Sequence, residues 1–190
     1  VKGVLWQAFT AEQPVALLAQ FDAAYLDMPS IILTKVMRSK QRYFTLVDAQ
    51  TGAMRPNFIT VRNGPDRDND LVVAGNENVV FARFADASYF YRHDQEKPLA
   101  DYVEKLNLLT FQTQLGSMLD KTKRIESLSE AILDFGFWSL SWGDQAQSAD
   151  RKAQIRATAK AAAHLCKADL VTSMVVEMTS LQGTMGRAYY

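Results

Sequence analysis

The chain has 190 residues, of which 48% are hydrophobic, with 21 basic side chains against 21 acidic ones. That composition suits a globular core in one domain or two small ones and excludes a disordered chain, and the balanced charge excludes global attraction to a polyanion. A nucleic-acid surface must therefore come from local clustering. The single cysteine, Cys166, lies among apolar residues and has no internal disulfide partner, which points to a reducing compartment, the cytoplasm first. No apolar run approaches the roughly 20 residues of a membrane span, and no signal peptide is evident.

The chain opens without a methionine in what reads as a strand, Val4 to Phe9, so a piece of a longer polypeptide is expected. Val15 to Leu26 reads as helical or irregular. Pro29-Ser30 opens a short helix, Ile31 to Met37, presenting Lys35 and Arg38. Arg42 to Val47 and Asn57 to Val61, rich in aromatic and β-branched residues around Gln50-Thr51-Gly52, read as a β-hairpin. Asp66 to Ala74 reads as a short helix closed by Gly75, with Asn76 capping a second, Glu77 to Tyr91.

Pro98 starts another predicted helix, Leu99 to Leu109, and Gly116 divides it from Ser117 to Phe135. In the latter Ile125, Leu128, Ile132 and Phe135 share an apolar face that leaves Lys121, Lys123 and Arg124 outside. Gly136 to Asp150, with Trp138, Trp142 and Gly143, reads as an aromatic-pinned loop. An alanine-rich helix from about Arg151 to Ala163 follows, open to continuation through Leu165 to Met178, where Val171, Met174, Val175 and Met178 share a face. The last stretch, Gln182 to Tyr190, reads as a loop punctuated by Gly183 and Gly186. The fold class is α+β: a mixed α/β domain over 1–97 and a helical domain over 98–190.

His93-Asp94 has the form of the metal-binding pair of HD phosphohydrolases, but its polar surroundings read as a solvated loop, and two histidines in the chain supply a metal poorly. His164 and Asp169 stand five apart on a predicted helix, on roughly opposite sides, which argues against shared ligation. Asp169 itself reads as a partly buried acid satisfied by a backbone N–H, by Lys167 or by another cation. No phosphate-binding glycine loop, nucleophile elbow or Cys-x-x-Cys pair is present. The strongest local signal is charge: between Lys35 and Arg62 stand Lys35, Arg38, Lys40, Arg42, Arg55 and Arg62 against the single acid Asp48. With Tyr43, Phe44 and Phe58 interleaved, the segment suits phosphate neutralisation and stacking on RNA, or a solvated strand face.

Several motifs in order resemble the beta subunit of the bacterial-type, two-subunit glycyl-tRNA synthetase, from about Phe21 to Tyr190. They are Lys35-Val36-Met37-Arg38-Ser39-Lys40-Gln41-Arg42-Tyr43-Phe44, Pro56 to Asn63, Gly75-Asn76-Glu77, Ala82-Arg83-Phe84-Ala85-Asp86-Ala87, Phe111 to Gly116 with Asp120-Lys121, and Lys167 to Tyr190. Phe81, Phe84 and Arg42 depart from that pattern, which often has arginine, leucine and lysine there, and residues 1 to 20 match poorly. The resemblance implies a helical half like an HD domain that has lost its histidines, with Ala168 where a histidine would stand and no phosphohydrolase activity. It implies a role in glycine–tRNA ligation, with tRNA(Gly) and the alpha subunit as partners and no membrane. ATP and magnesium would be used through the alpha subunit, so no cofactor and no catalytic or metal residue is expected here. The tRNA-contact candidates are Lys35, Arg38, Lys40, Arg42, Arg83 and Arg187, with Lys121 and Arg124 behind them, while Gly75, Gly183 and Gly186 are expected to allow tight turns where side chains would clash. A module that only holds subunits or domains together is the alternative.

Overall fold

The structure is a computed structural model that describes residues 12–135 and 149–190. The expected strand Val4 to Phe9 and the loop containing Trp138, Trp142 and Gly143 lie outside them. The chain divides into two compact units, Val1–Arg92 and His93–Tyr190, and the α+β class holds: the first combines an antiparallel sheet with helices, and the second is mainly helical.

In the first unit, β1 (Pro14–Gln20), β2 (Phe44–Val47) and β3 (Met54–Asn63) form an antiparallel sheet in the order β1-β3-β2. The β2–β3 hairpin lies where the turn residues predict it. The β1 strand replaces the helical or irregular reading of Val15 onward. Leu17 and Ala19 alternate inward there, opposite Thr60 and Phe58, and this period-two burial overrides the helix propensity of alanine and leucine. A 3-10 turn, Ala23–Asp27, follows, with the Asp22 carboxylate accepting from the Ala24 N–H at 2.9 Å.

Helix α1 spans Ser30–Gln41, four residues past the predicted end. Ile32, Leu33, Val36 and Met37 are buried on one side, and Arg38 near its end suits the partial negative charge of the last carbonyls. Arg42 ends the helix in a left-handed conformation, φ 57°. Tyr43 and Phe58 stack in the core with ring centroids 4.9 Å apart.

Helix α2 is continuous over Asn69–Asp94, which corrects the expectation of two helices joined at Gly75. Gly75 has ordinary helical geometry with nothing near it. Asn76 is no cap: its side-chain N–H donates to the Val72 carbonyl one turn back at 2.7 Å, and its carbonyl accepts from the Tyr43 hydroxyl. Val80, Phe84 and Ala87 form the buried stripe, and Phe84 meets the edges of Phe21 and Tyr25 at 5.0 and 5.4 Å. Burial of that stripe outweighs the ~1 kcal/mol that a helical glycine forfeits relative to alanine.

In the second unit, Leu99 to Leu109 forms two 3-10 turns, Leu99–Tyr102 and Glu104–Leu108, in place of one α-helix. Leu99 and Tyr102, then Val103 and Leu106, are three apart and all buried, a match to three residues per turn. They form a core cluster with Leu119 and Ala168. A short hairpin, β4 (Thr110–Gln112) and β5 (Gly116–Ser117), leads into α3 (Met118–Asp134). A capping box starts α3: the Ser117 hydroxyl accepts from the Asp120 N–H, and the Asp120 carboxylate accepts from the Ser117 N–H.

Helix α4 (Ala149–Leu165) ends where a continuous helix to Met178 was expected. A 3-10 turn (Ala168–Val171), α5 (Ser173–Glu177), another 3-10 turn (Thr179–Leu181) and α6 (Thr184–Tyr189) follow. The final glycine segment is thus helical from Thr184. Burial on α3 also departs from the predicted face: Leu119, Thr122 and Leu133 are buried, while Leu128 is 61% and Phe135 92% exposed.

Candidate nucleic-acid interface

Four candidate cations of the first unit, Lys35, Arg38, Lys40 and Arg42, occupy α1 and its end, not the hairpin strands. Lys35 and Arg38 stand one turn apart on the side away from the buried residues, Lys35 half-buried and Arg38 exposed. Lys40 lies in the last turn of α1, and exposed Arg42 follows it. Among the described residues, Lys35, Arg38 and Arg42 have no acidic partner within salt-bridge distance.

The other two cations of the basic segment are engaged. Arg55 pairs with Asp48 at 2.8 Å, and Arg62 donates to the Arg67 carbonyl at 2.7 Å and to the Asn69 side chain at 3.2 Å. The Arg55 guanidinium, helped by the Thr51 and Gln50 N–H groups, holds the Asp48 carboxyl well below the usual carboxylate range. Asp48 therefore organises the hairpin turn, and Arg55 neutralises it locally.

The stacking half of the RNA reading is corrected. Tyr43 and Phe58 are buried against each other, so neither ring face is open to a base, and burial pushes the Tyr43 hydroxyl upward in pKa. Phe44 is half-buried. Aromatic and β-branched residues in a three-stranded sheet fill its core first.

Arg83 is exposed on α2 and Arg187 on α6, each without an ion pair among the described residues. Lys121 is half-buried with its ammonium 3.8 Å from the Phe111 ring centroid, and Arg124 is exposed on α3. Lys35, Arg38 and Arg42 are the cations that one short element brings together.

The HD dipeptide is not a solvated loop. Both residues belong to the end of α2; His93 is exposed and pairs with Glu96 at 3.4 Å, whereas Asp94 is 1% exposed. The Asp94 carboxylate accepts from the Ser173 and Met174 N–H groups at 2.7 and 2.8 Å and from the Tyr189 hydroxyl at 3.0 Å. The cap position of α5, Thr172, makes no side-chain cap, because its hydroxyl donates to the Asp169 carbonyl at 2.7 Å. A carboxylate some 80 residues upstream caps that helix instead. Sequence reasoning missed this role; the only signal was an acid three residues beyond the predicted helix end at Tyr91.

Asp169 does the same for α6. It is 2% exposed, and one carboxylate oxygen accepts from the Gly183 N–H and, at 3.0 Å, from the Gly186 N–H. Of the alternatives open in the sequence, backbone N–H groups are the partners. Gly183 has φ 76°, a conformation in which other residues are strained, but no neighbour lies where its Cβ would stand. A Cβ on Gly186 would meet Asp169 at 3.4 Å, an ordinary contact. Steric clash therefore explains none of the three glycines.

His164 pairs with Glu126 at 2.7 Å. Among the described residues no group of three or more His, Cys, Asp or Glu side chains converges as metal ligands do, and no helix is long and apolar enough to cross a membrane.

The described family model of the glycyl-tRNA synthetase beta subunit matches residues 7–190. The chain is 43% identical over 181 residues to the glycine–tRNA ligase beta subunit of Clostridioides difficile strain 630, covering 95% of this chain and 24% of that protein. The corresponding subunit of Synechocystis is 42% identical over 178 residues, with 94% and 23% covered, and that of Dictyoglomus thermophilum 42% over 181, with 95% and 24%. The chain thus spans about a quarter of the length of these relatives. On the extent of the family match, which begins ahead of the motifs at Phe21, the chain belongs to the glycyl-tRNA synthetase beta-subunit family.

Proposed function

We propose that this chain supports tRNA(Gly) binding and glycyl-tRNA aminoacylation as part of a glycine–tRNA ligase beta subunit, working with the alpha subunit in the cytoplasm. Glycine, ATP and magnesium are handled by the alpha subunit, and none of these residues makes or breaks a bond. Lys35, Arg38, Lys40 and Arg42 meet RNA phosphates, with Arg83 and Arg187 as further contacts.

The observation that supports this reading is Arg42. It holds a left-handed conformation at the end of α1, where glycine is the cheap residue and a side chain costs about 1 kcal/mol. An exposed arginine in that position, beside Lys35 and Arg38, has no acidic partner within salt-bridge distance among the described residues. It does give a ligand three clustered positive charges, and arginine matches phosphate geometry bidentately.

In the assembled two-subunit enzyme, Lys35→Ala/Arg38→Ala/Arg42→Gly is expected to raise KM for tRNA(Gly) about tenfold or more, at roughly one lost phosphate contact per cation. KM for glycine and for ATP stays unchanged. Unchanged KM for tRNA would refute the assignment.

A second reading has its own observation. Leu128, Ile132 and Phe135 lie exposed along α3, as expected of a module that holds subunits or domains together. It predicts alpha-subunit co-purification that survives RNase and is lost on Leu128→Lys/Ile132→Lys.

A further inference from the structure

We propose that a cleft on the second unit, between α4 and α6, seats one unpaired nucleotide of a bound RNA. This rests on the RNA-binding reading above and gives it a second, chemically different contact.

The cleft has a volume of about 390 Å³ and is lined by Leu99, Ala162, Leu165, Cys166, Arg187 and Tyr190 among others. That volume falls within the ~300–1,000 Å³ typical of small-ligand pockets. Its lining is apolar apart from few groups, and small residues, Ala161 and Ala162 on α4 with Gly183 and Gly186 opposite, leave room for a flat body. Arg187 is exposed and unpaired among the described residues, and the Tyr190 side chain is part of the lining. Asp169, which binds the two glycines of the lining, is buried and committed to their N–H groups. The cleft therefore presents one cation, one aromatic ring and an apolar floor.

Each feature matches part of a nucleotide. The guanidinium neutralises a phosphate, the tyrosine face stacks on a base, and the floor takes the base's other apolar surface. A duplex cannot supply such a group, because its bases are stacked inside the helix, whereas a single strand or a splayed nucleotide can. An acidic peptide would satisfy Arg187 but would leave the floor and the ring without a planar partner.

Cys166 provides a reporter, since the residue lines the cleft and is exposed. Burial pushes its thiol up in pKa, so alkylation is run at mildly alkaline pH. In the full beta subunit, iodoacetamide modification of the Cys166 peptide is followed by mass spectrometry with a single-stranded ribo-oligonucleotide, with the same sequence as a duplex, and with purified alpha subunit. The single strand is expected to slow modification on the order of tenfold, as one stacked base implies, and the duplex to leave it unchanged. Tyr190→Ala and Arg187→Gln remove the protection while circular dichroism is unchanged. No protection by the single strand, equal protection by the duplex, or protection by the alpha subunit alone would overturn the proposal. If KM for tRNA still responds to Arg38 and Arg42 in that event, this inference falls and the broader reading stands; if neither responds, both fall.

Discussion

The Tyr189 hydroxyl donates to the buried Asp94 carboxylate at 3.0 Å across 95 residues of sequence. The same carboxylate caps α5 through Ser173 and Met174, so one side chain ties the end of α2 to two helices of the last segment. Asp94→Ala takes the acceptor away from the Ser173 and Met174 N–H groups and removes one contact of the Tyr189 hydroxyl, and is expected to cost about 3 kcal/mol. Tyr189→Phe removes one hydrogen bond and costs about 1 kcal/mol. Urea unfolding of both single variants and the double is the check, and the double should cost less than the sum of the singles, because the contact is shared.

The glycines give an ordered set. Gly183→Ala places a side chain at φ 76° and is expected to destabilise by about 1 kcal/mol. Gly75→Ala, in open space within α2, is expected to stabilise by up to about 1 kcal/mol. Gly186→Ala meets Asp169 at 3.4 Å inside α6 and falls between them. Thermal unfolding that placed Gly75→Ala below Gly183→Ala would contradict the geometry.

Asp48 sets a pH dependence. Its carboxyl is held below the ordinary range by Arg55 and by the Thr51 and Gln50 N–H groups, so the folded state binds a proton less readily than the unfolded one. The stabilisation is complete above the unfolded value of about 3.9 and is lost as pH falls from there through the lower folded value. The difference in unfolding midpoint between the native chain and Asp48→Asn should accordingly be full at neutral pH and shrink in acid. A difference constant over that range would assign the effect to shape rather than charge.

Much of this was legible where the determinants are local. The β2–β3 hairpin follows from its turn residues and strand composition, and Ser117 with Asp120 makes a cap within four residues. β1 was not legible, because its partner strand begins more than 30 residues later and Leu17 and Ala19 read equally well as helical. Gly75 misled because a glycine's local preference is weaker than the burial of Val80, Phe84 and Ala87 along one face. Asp94 could not be read at all: its partners are Ser173, Met174 and Tyr189, and nothing near His93 announces them. The cations of α1 were visible as charge, whereas the burial of Tyr43 and Phe58 depended on a stack that only the fold creates.

Helices α3 and α4 carry three antiparallel pairs spaced four residues apart: Asp134–Arg156 at 2.7 Å, Glu130–Lys160 at 3.6 Å and Glu126–His164 at 2.7 Å. Exposed pairs contribute little individually, about 0.5 kcal/mol each, and mainly fix the register of the two helices. Glu130→Lys is expected to destabilise, and adding Lys160→Glu to restore stability, with the difference fading as salt screens the pair. Failure of the reversed pair to rescue at low salt would remove the ladder from the account.

The affinity of the assembled enzyme for tRNA(Gly) across a salt series tests the central claim most directly, with Arg38→Ala/Arg42→Gly beside the native protein. Arg42→Gly relieves a left-handed arginine, so folding is not in question. The account predicts weaker binding and a salt dependence shallower by about two units of log–log slope, close to one per lost phosphate contact. Parallel lines of equal affinity would contradict it.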